Sequence, residues 1–251
     1  MSPFDEKCGG IGVVNSINIL GVRVDNVTYG ETLDLIASTI AARVPRQIAT
    51  VNPEFIMAAQ EDAAFRDVLN HTALNLPDGI GVIWAARRLG RPLRERVAGS
   101  DSVDLIAQRA SEQGWKVYLL GAAEGVAQKA AEIWQARYPG FNCVGTFGGS
   151  PRVEEEDPII ERICAAAPDV LFVAYGAPAQ DKWIARNLSR LNVPACMGVG
   201  GALDFIAGVT QRAPRWIQRL GLEWLHRLIH QPWRWRRMLA LPRFVWRVWR
   251  Q

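Results

Sequence analysis

The 251-residue chain is poor in several features that would fix a class at once. Its four cysteines, Cys8, Cys143, Cys164 and Cys196, stand far apart with no C-x-x-C pair, which argues against a zinc ribbon and a disulfide scaffold. There are three histidines. His226 and His230 are four apart with Glu223 upstream, but no fourth ligand accompanies them, so no metal is expected. No apolar run reaches the roughly 18 residues needed to span a bilayer. Residues 1–10 carry Asp5, Glu6 and Lys7 rather than an apolar signal segment, so a cytoplasmic protein is expected. Neither G-x-G-x-x-G nor G-x-x-x-x-G-K-[ST] occurs, and the standard dinucleotide and ATP fingerprints are therefore missing.

What is present is an ordinary globular composition, 49% hydrophobic and 22% charged, long enough to bury a sizeable core. The net charge of +4 hides an asymmetry. Residues 211–251 hold ten arginines, no lysine and one acid, Glu223, so this stretch is +9 and residues 1–210 carry −5. Six of the ten tryptophans also lie there: Trp216, Trp224, Trp233, Trp235, Trp246 and Trp249. The break near residue 210 divides the chain into an acidic body, 1–210, and a basic appendage, 211–251.

In the body, apolar β-rich runs alternate with helix-length segments. Strands are expected over 17–24, 47–51, 72–76, 116–120, 141–146, 169–174 and 194–199. Helices are expected over 29–42, 53–70, 102–113, 125–138, 154–166 and 180–190. Val170-Leu171-Phe172-Val173-Ala174 is apolar throughout, as a strand buried on both faces would be. Repeated βαβ units imply an α/β fold, a Rossmann-like and mostly parallel sheet with helices on both faces, followed by a helical basic appendage.

Ligands of such sheets bind beyond the carboxyl ends of the strands. The informative residues are then Thr50-Val51-Asn52, Pro77-Asp78-Gly79, Gly121-Ala122-Ala123, Gly145 to Gly149, Gly176-Ala177-Pro178, and Gly198 to Asp204. Glycine-rich turns such as those at Gly121, Gly176, Gly200 and Gly201 let backbone approach a ligand, and helix N-termini favour phosphate. Asp78, between Pro77 and Gly79, is placed to act as a general base or to serve as a turn residue. Thr50 and Asn52 suit sugar hydroxyls or phosphate, with helix capping the competing role. Arg96 lies before a helix that Ser100 or Asp101 would cap, and suits a pyrophosphate clamp or a surface ion pair. Gln180 opens a helix, as a substrate ligand or a solvated first-turn residue. Asp204 fits ribose hydroxyls or a cap.

In the tail, residues 232–251, Trp235, Met238, Leu239, Val245, Trp246 and Trp249 recur at helical spacing, and Arg236, Arg243, Arg247 and Arg250 fall on another face. A basic amphipathic helix with tryptophans, kinked or broken at Pro242, reads first as a membrane-surface element. Nucleic-acid binding and packing on a partner subunit are the alternatives.

In order along the chain stand Thr50-Val51-Asn52-Pro53-Glu54, Pro77-Asp78-Gly79-Ile80-Gly81-Val82, and Glu95-Arg96-Val97-Ala98-Gly99-Ser100-Asp101. Gly176-Ala177-Pro178-Ala179-Gln180-Asp181, Gly198-Val199-Gly200-Gly201-Ala202-Leu203-Asp204-Phe205, Arg212-Ala213-Pro214-Arg215-Trp216, and Gly221-Leu222-Glu223-Trp224-Leu225-His226-Arg227-Leu228 follow. With these seven motifs the chain, from about 19 to 237, resembles the WecG/TagA/CpsF glycosyltransferases (glycosyltransferase family 26).

The resemblance implies an inverting transfer from a UDP-sugar (N-acetylmannosamine, its uronic acid, or glucose) to a polyprenyl-pyrophosphate-linked sugar. It places the reaction at the inner face of the plasma membrane, in cell-surface polysaccharide synthesis, with no cofactor and no metal. The chain has no D-x-D pair, which agrees with that. It implies that Asp78 is the catalytic base, with Thr50, Asn52, Arg96 and Gln180 in the active site. Arg227, Arg234 and Arg237 are implied to belong to an appendage that meets an anionic membrane and closes over the site. The chain departs from the family in having Ala179-Gln180-Asp181 where members often carry Lys-Gln-Glu. Nucleic acid is not an expected partner, and homo-oligomerisation stays open. The alternative activity is a nucleotide-dependent oxidoreductase on the same kind of sheet.

Overall fold

A computed structural model describes residues 14–214, 216–217, 223–230, 232 and 235–251. The expectations for residues 1–10, Cys8 and Arg234 lie outside the described residues, as do the side chains of Arg227, His230 and Arg236.

The chain opens with a hairpin, β1 (Ser16–Ile19) and β2 (Val22–Asp25), paired antiparallel and separate from the main sheet. The expected single strand over 17–24 is therefore two. Leu20 and Gly21 both take left-handed backbone, φ 52° and 83°, which turns the chain within two residues. Helix α1 (Tyr29–Ala42) begins at a capping box: the Glu31 N–H donates to Thr28 Oγ1 and the Thr28 N–H to the Glu31 carboxylate.

The main sheet has six parallel strands in the order β4-β3-β8-β7-β5-β6. They are β3 (Arg46–Val51), β4 (Leu74–Pro77), β5 (Lys116–Gly121), β6 (Asn142–Phe147), β7 (Val170–Ala174) and β8 (Ala195–Gly198). The apolar run in β7 divides by pleat. Val170, Phe172 and Ala174 enter one core with Ile48, Leu119 and Met197, while Leu171 and Val173 enter another with Leu120 and Cys196. The first core lies under α1, α5 (Gly99–Gln113), α6 (Val126–Arg137) and α9 (Ala202–Ile206). On the opposite face, α7 (Glu156–Ala166) and α8 (Ala179–Leu191) cover one half, and α2 (Pro53–Glu61), α3 (Ala63–His71), α4 (Ile80–Arg88) and the hairpin cover the other.

Where one helix was expected over 53–70 there are two, α2 (Pro53–Glu61) and α3 (Ala63–His71). Asp62 breaks them: its backbone is extended (φ −129°, ψ 94°), and its side chain accepts from the Phe65 N–H, capping the second helix. Helices α4 (Ile80–Arg88) and α9 are additional to the expected set. Neither has a side-chain cap, the signal on which sequence reading of a helix start relies.

The tail contains α10 (Glu223–His230), α11 (Trp235–Met238) and α12 (Ala240–Trp249). The helical break falls at Leu239, before Pro242. Pro242 sits inside the first turn of α12, where a missing N–H costs no hydrogen bond. Phe244 and Val248, one turn apart, bury against α2 and α4, at 1% and 2% exposure. The other side of α12 exposes Val245, Trp246 and Trp249. Gln251 ties the end of the chain to the hairpin, accepting from the Leu20 N–H (3.0 Å). Among the described residues no helix is long and apolar enough to cross a membrane.

Candidate active site

Strands β3 and β7 send the chain to one face at their carboxyl ends, whereas β8 and β5 send it to the other. Neighbouring strands whose chains leave in opposite directions open a cleft at that edge. Backbone hydrogen bonds assemble one side of it. The Asp78 N–H donates to the Val51 carbonyl (2.9 Å), setting the end of β4 beside the end of β3. The Val97 N–H donates to the Pro77 carbonyl (2.9 Å), which draws the segment carrying Arg96 against the same turn. Thr50, Asn52, Asp78 and Arg96, separated by up to 46 positions in sequence, thus meet at one end of the sheet.

Thr50 is buried against the first residue of α5. A Cβ on Gly99 would stand 2.9 Å from Thr50 Cγ2, so only glycine lets the helix start this close to β3. Asn52 caps α2: its Oδ1 accepts from the Phe55 N–H (3.0 Å), and Pro53 follows as the first helical residue. The capping role is thus filled by its oxygen. Ser100 and Asp101 do not cap α5 as the sequence suggested, because the helix starts at Gly99 with Ala98 in the cap position and no side-chain bond.

Asp101 belongs to a network that the sequence did not announce. The Ala98 N–H donates to the Tyr29 hydroxyl (2.8 Å), and that hydroxyl lies 3.3 Å from Asp101 Oδ2. The Tyr29 N–H donates to the carboxylate of Glu95 (2.9 Å), next to Arg96. Burial raises the Tyr29 pKa, as do the nearby carboxylates of Asp101 and Asp78, while the Ala98 amide and the Arg96 charge oppose them. Tyr29 is therefore a neutral phenol between two acids and a cation. Arg212 reaches in from the start of the tail, pairing with Asp101 (2.5 Å) and Glu223 (3.4 Å). Tyr29 carried no sequence signal; Arg212 was visible only inside a motif.

The other side of the cleft is built of backbone. Gly121 ends β5, Gly176 follows β7, and Gly200 and Gly201 follow β8. Gln180, in the first turn of α8, is neither solvated nor aimed at open space. It is 1% exposed, and its Oε1 accepts from the Gly176 N–H (3.1 Å) and the Gly200 N–H (2.9 Å), tying the two turns together. Asp204 lies in α9, half-buried, with Oδ2 close over Gly201; burial raises its pKa. The turn expected over Gly145 to Gly149 begins later: Gly145 to Phe147 pair with β5 as part of β6, and only Gly148 and Gly149 follow the strand, at the edge of the sheet beyond β5.

The tail closes one flank. Arg237 pairs with Glu54 in the first turn of α2 (2.6 and 2.8 Å). A cavity of about 310 Å³ lies between α2, the Ala177-Pro178 turn and the tail, lined by Phe55, Met57, Ala58, Glu54, Arg237 and Arg243. Among the described residues no three His, Cys, Asp or Glu side chains gather as a metal site would require.

Comparison with known proteins gives this geometry its context. The family model described as "Glycosyl transferase WecG/TagA/CpsF family" matches residues 17–251. A protein of Bacillus subtilis (strain 168), named N-acetylglucosaminyldiphosphoundecaprenol N-acetyl-beta-D-mannosaminyltransferase, is 35% identical over 206 residues, 82% of this chain and 80% of its own. A protein of the same name from Staphylococcus aureus (strain MW2) is 32% identical over 234 residues, 92% of this chain and 91% of its own. The dinucleotide-dependent alternative therefore gives way. The chain belongs to the WecG/TagA/CpsF glycosyltransferase family.

Proposed function

We propose that this enzyme transfers N-acetylmannosamine from UDP to the N-acetylglucosamine of a polyprenyl-diphosphate-linked acceptor, with inversion, in cell-surface polymer synthesis. The observation that carries the reading is the meeting of Asp78, Arg96, Thr50 and Asn52 at one end of the sheet, through the Asp78–Val51 and Val97–Pro77 backbone bonds. Relatives that cover most of the chain bear the name of that transfer. A β-linked product from an α-linked UDP-sugar requires inversion, hence a single displacement by the acceptor hydroxyl.

Asp78 takes the proton of that hydroxyl as it attacks the anomeric carbon. Arg96 stabilises the charge that grows on the UDP leaving group, helped by backbone N–H groups around Gly121, Gly176, Gly200 and Gly201. Thr50 and the free end of the Asn52 amide orient the sugars, Gln180 shapes the diphosphate turn, and Asp204 meets the ribose. No cofactor or metal enters this scheme. The Arg96 guanidinium supplies the positive charge that a cation would otherwise bring.

The acceptor's lipid stays in the bilayer, so the enzyme must come to it. The exposed face of α12, with Trp246 and Trp249, together with the tail arginines supports docking on the anionic inner surface of the plasma membrane. The tail's bond from Arg237 to Glu54 supports its closing over the acceptor side of the cleft, with Arg227 and Arg234 assigned to the same appendage.

The decisive experiment is a transfer assay in EDTA, with a panel of UDP-sugars and a short-chain polyprenyl-diphosphate N-acetylglucosamine acceptor. Transfer from UDP-N-acetylmannosamine alone is expected. Transfer from another sugar would replace the donor, and loss of both transfer and UDP binding would end the reading.

A further inference from the structure

The segment that carries Arg96 is held from outside at three points. The Val97 N–H donates to the Pro77 carbonyl (2.9 Å). The other two holds belong to one residue, Tyr29, which opens α1. Its N–H donates to the Glu95 carboxylate (2.9 Å), and its hydroxyl accepts from the Ala98 N–H (2.8 Å). Arg96 stands in the chain between those two holds. Ala98 is 3% exposed and precedes α5 with no side-chain cap, so its N–H has little access to water and depends on the phenol.

A phenol has one hydrogen. With the Tyr29 oxygen accepting from Ala98, that hydrogen is left to point at Asp101 Oδ2, 3.3 Å away. Asp101 lies in the first turn of α5, and its other oxygen accepts from Arg212 Nη1 (2.5 Å). Arg212 is partly buried and also pairs with Glu223 (3.4 Å), the first residue of α10. Polar contacts thus run without a gap from the tail to the Arg96 segment, through Glu223, Arg212, Asp101, Tyr29 and Ala98. In such a chain each member orients the next. Arg212 fixes the Asp101 carboxylate, the carboxylate fixes the phenol hydrogen, and the phenol oxygen fixes the Ala98 amide.

We propose that Tyr29 is a positioning residue for Arg96 and that Arg212 sets Tyr29 through Asp101, so that the seating of the tail's first helix is read at the Arg96 guanidinium. That Arg96 meets a leaving diphosphate rests on the proposed function; the holding of its segment does not.

The test uses Tyr29→Phe, which removes only the hydroxyl, and Arg212→Met, which keeps a long side chain without its charge. Amide hydrogen exchange is read at Val97 and Ala98, with β5 amides as the internal reference. Tyr29→Phe is expected to lower protection at both amides about tenfold, the worth of one hydrogen bond. Arg212→Met touches neither amide, yet is expected to lower both about threefold, the worth of a partly exposed ion pair, with Arg212→Lys closer to wild type and β5 unchanged. In the transfer assay kcat is expected to fall about tenfold in Tyr29→Phe. In an Arg96→Ala background the same substitution is expected to cost nothing further, because both changes act on one group. Unchanged exchange at Val97 and Ala98 in Arg212→Met would overturn the inference. So would protection lost evenly into β5, which marks a merely structural role, or equal fold-losses of kcat with and without Arg96. Should Tyr29→Phe fail to fold, Arg212→Met and Arg212→Lys decide the matter by exchange. If the wild-type protein transfers from no UDP-sugar, the proposed function fails, while the exchange comparison still decides the roles of Tyr29 and Arg212.

Discussion

The two sides of the cleft are made of different material. On the β3–β4 side the groups are side chains: Asp78, Arg96, Thr50, Tyr29 and Asp101, held by hydrogen bonds and ion pairs that reach as far as Arg212 in the tail. On the β5–β7–β8 side they are mostly main-chain groups in glycine turns, tied by one buried amide. The first side gathers several ionisable side chains, and the second offers mainly fixed N–H groups, with the Asp204 acid over the glycine turns. The tail adds to the contrast, since α12 packs on α2 and α4, and Gly81, Pro53 and Phe244 meet beside the Asp78 turn. Under the proposed function, proton transfer, leaving-group charge and acceptor access fall to the first side, and the second adds backbone N–H groups for the donor.

The comparison breaks most readily at Asp78. Asp78→Asn should lower kcat by about 10²-fold or more with UDP affinity held, a split read from steady-state rates and calorimetry. Equal loss of both would erase the division between the sides. Next comes the tail. Phe244→Ala empties a site buried at 1% exposure and should cost about 3 kcal/mol or more of the packing that holds α12 to the body. Transfer to lipid acceptor should then fall while UDP binding remains, and intact transfer would show that the acceptor side works without the tail.

Gly198→Ala probes the other side. The added methyl meets Gln180 and Asp181, so UDP binding should weaken about tenfold, in line with an overpacking cost of 1 to 3 kcal/mol, while any UDP still bound reacts normally. The smallest effect is on stability against pH. Burial makes Asp181 titrate at about 7 when folded, against 3.8 when unfolded, so between those values the folded state binds more protons. Stability contributed by the protonated carboxyl is lost as pH rises through that window. Asp181→Asn should therefore raise Tm more at pH 8 than at pH 5, by differential scanning fluorimetry. A larger gain at pH 5 would reverse the sign and remove the raised pKa.

The sheet was legible in the sequence because strands buried on both faces are apolar without interruption, and Val170 to Ala174 is the clearest case. The single strand expected over 17–24 was in fact a hairpin, because its two-residue turn joins Gly21 to Leu20, an apolar residue in left-handed backbone that makes the run look continuous. The helix break at Asp62 was missed because helix resumes at once at Ala63, leaving a single-residue gap in the pattern, although aspartate is itself a preferred cap. Of the candidate site, Asp78, Thr50, Asn52 and Arg96 were marked by their positions just past strands or in motifs. Tyr29 was not, since nothing in its neighbourhood distinguishes it from any first-turn aromatic.

Residue order and periodicity alone determined the α/β class, the family-like motifs and the split between an acidic body and a basic tail, because these depend on local spacing and composition. The tertiary structure alone decided what those motifs do to one another. It brought the Arg96 segment to Pro77 through a single backbone bond, made Gln180 a buried tie between two turns, and seated Phe244 in the body. Such pairings join residues far apart in the chain, and their energies depend on burial and distance, quantities that a linear sequence does not carry.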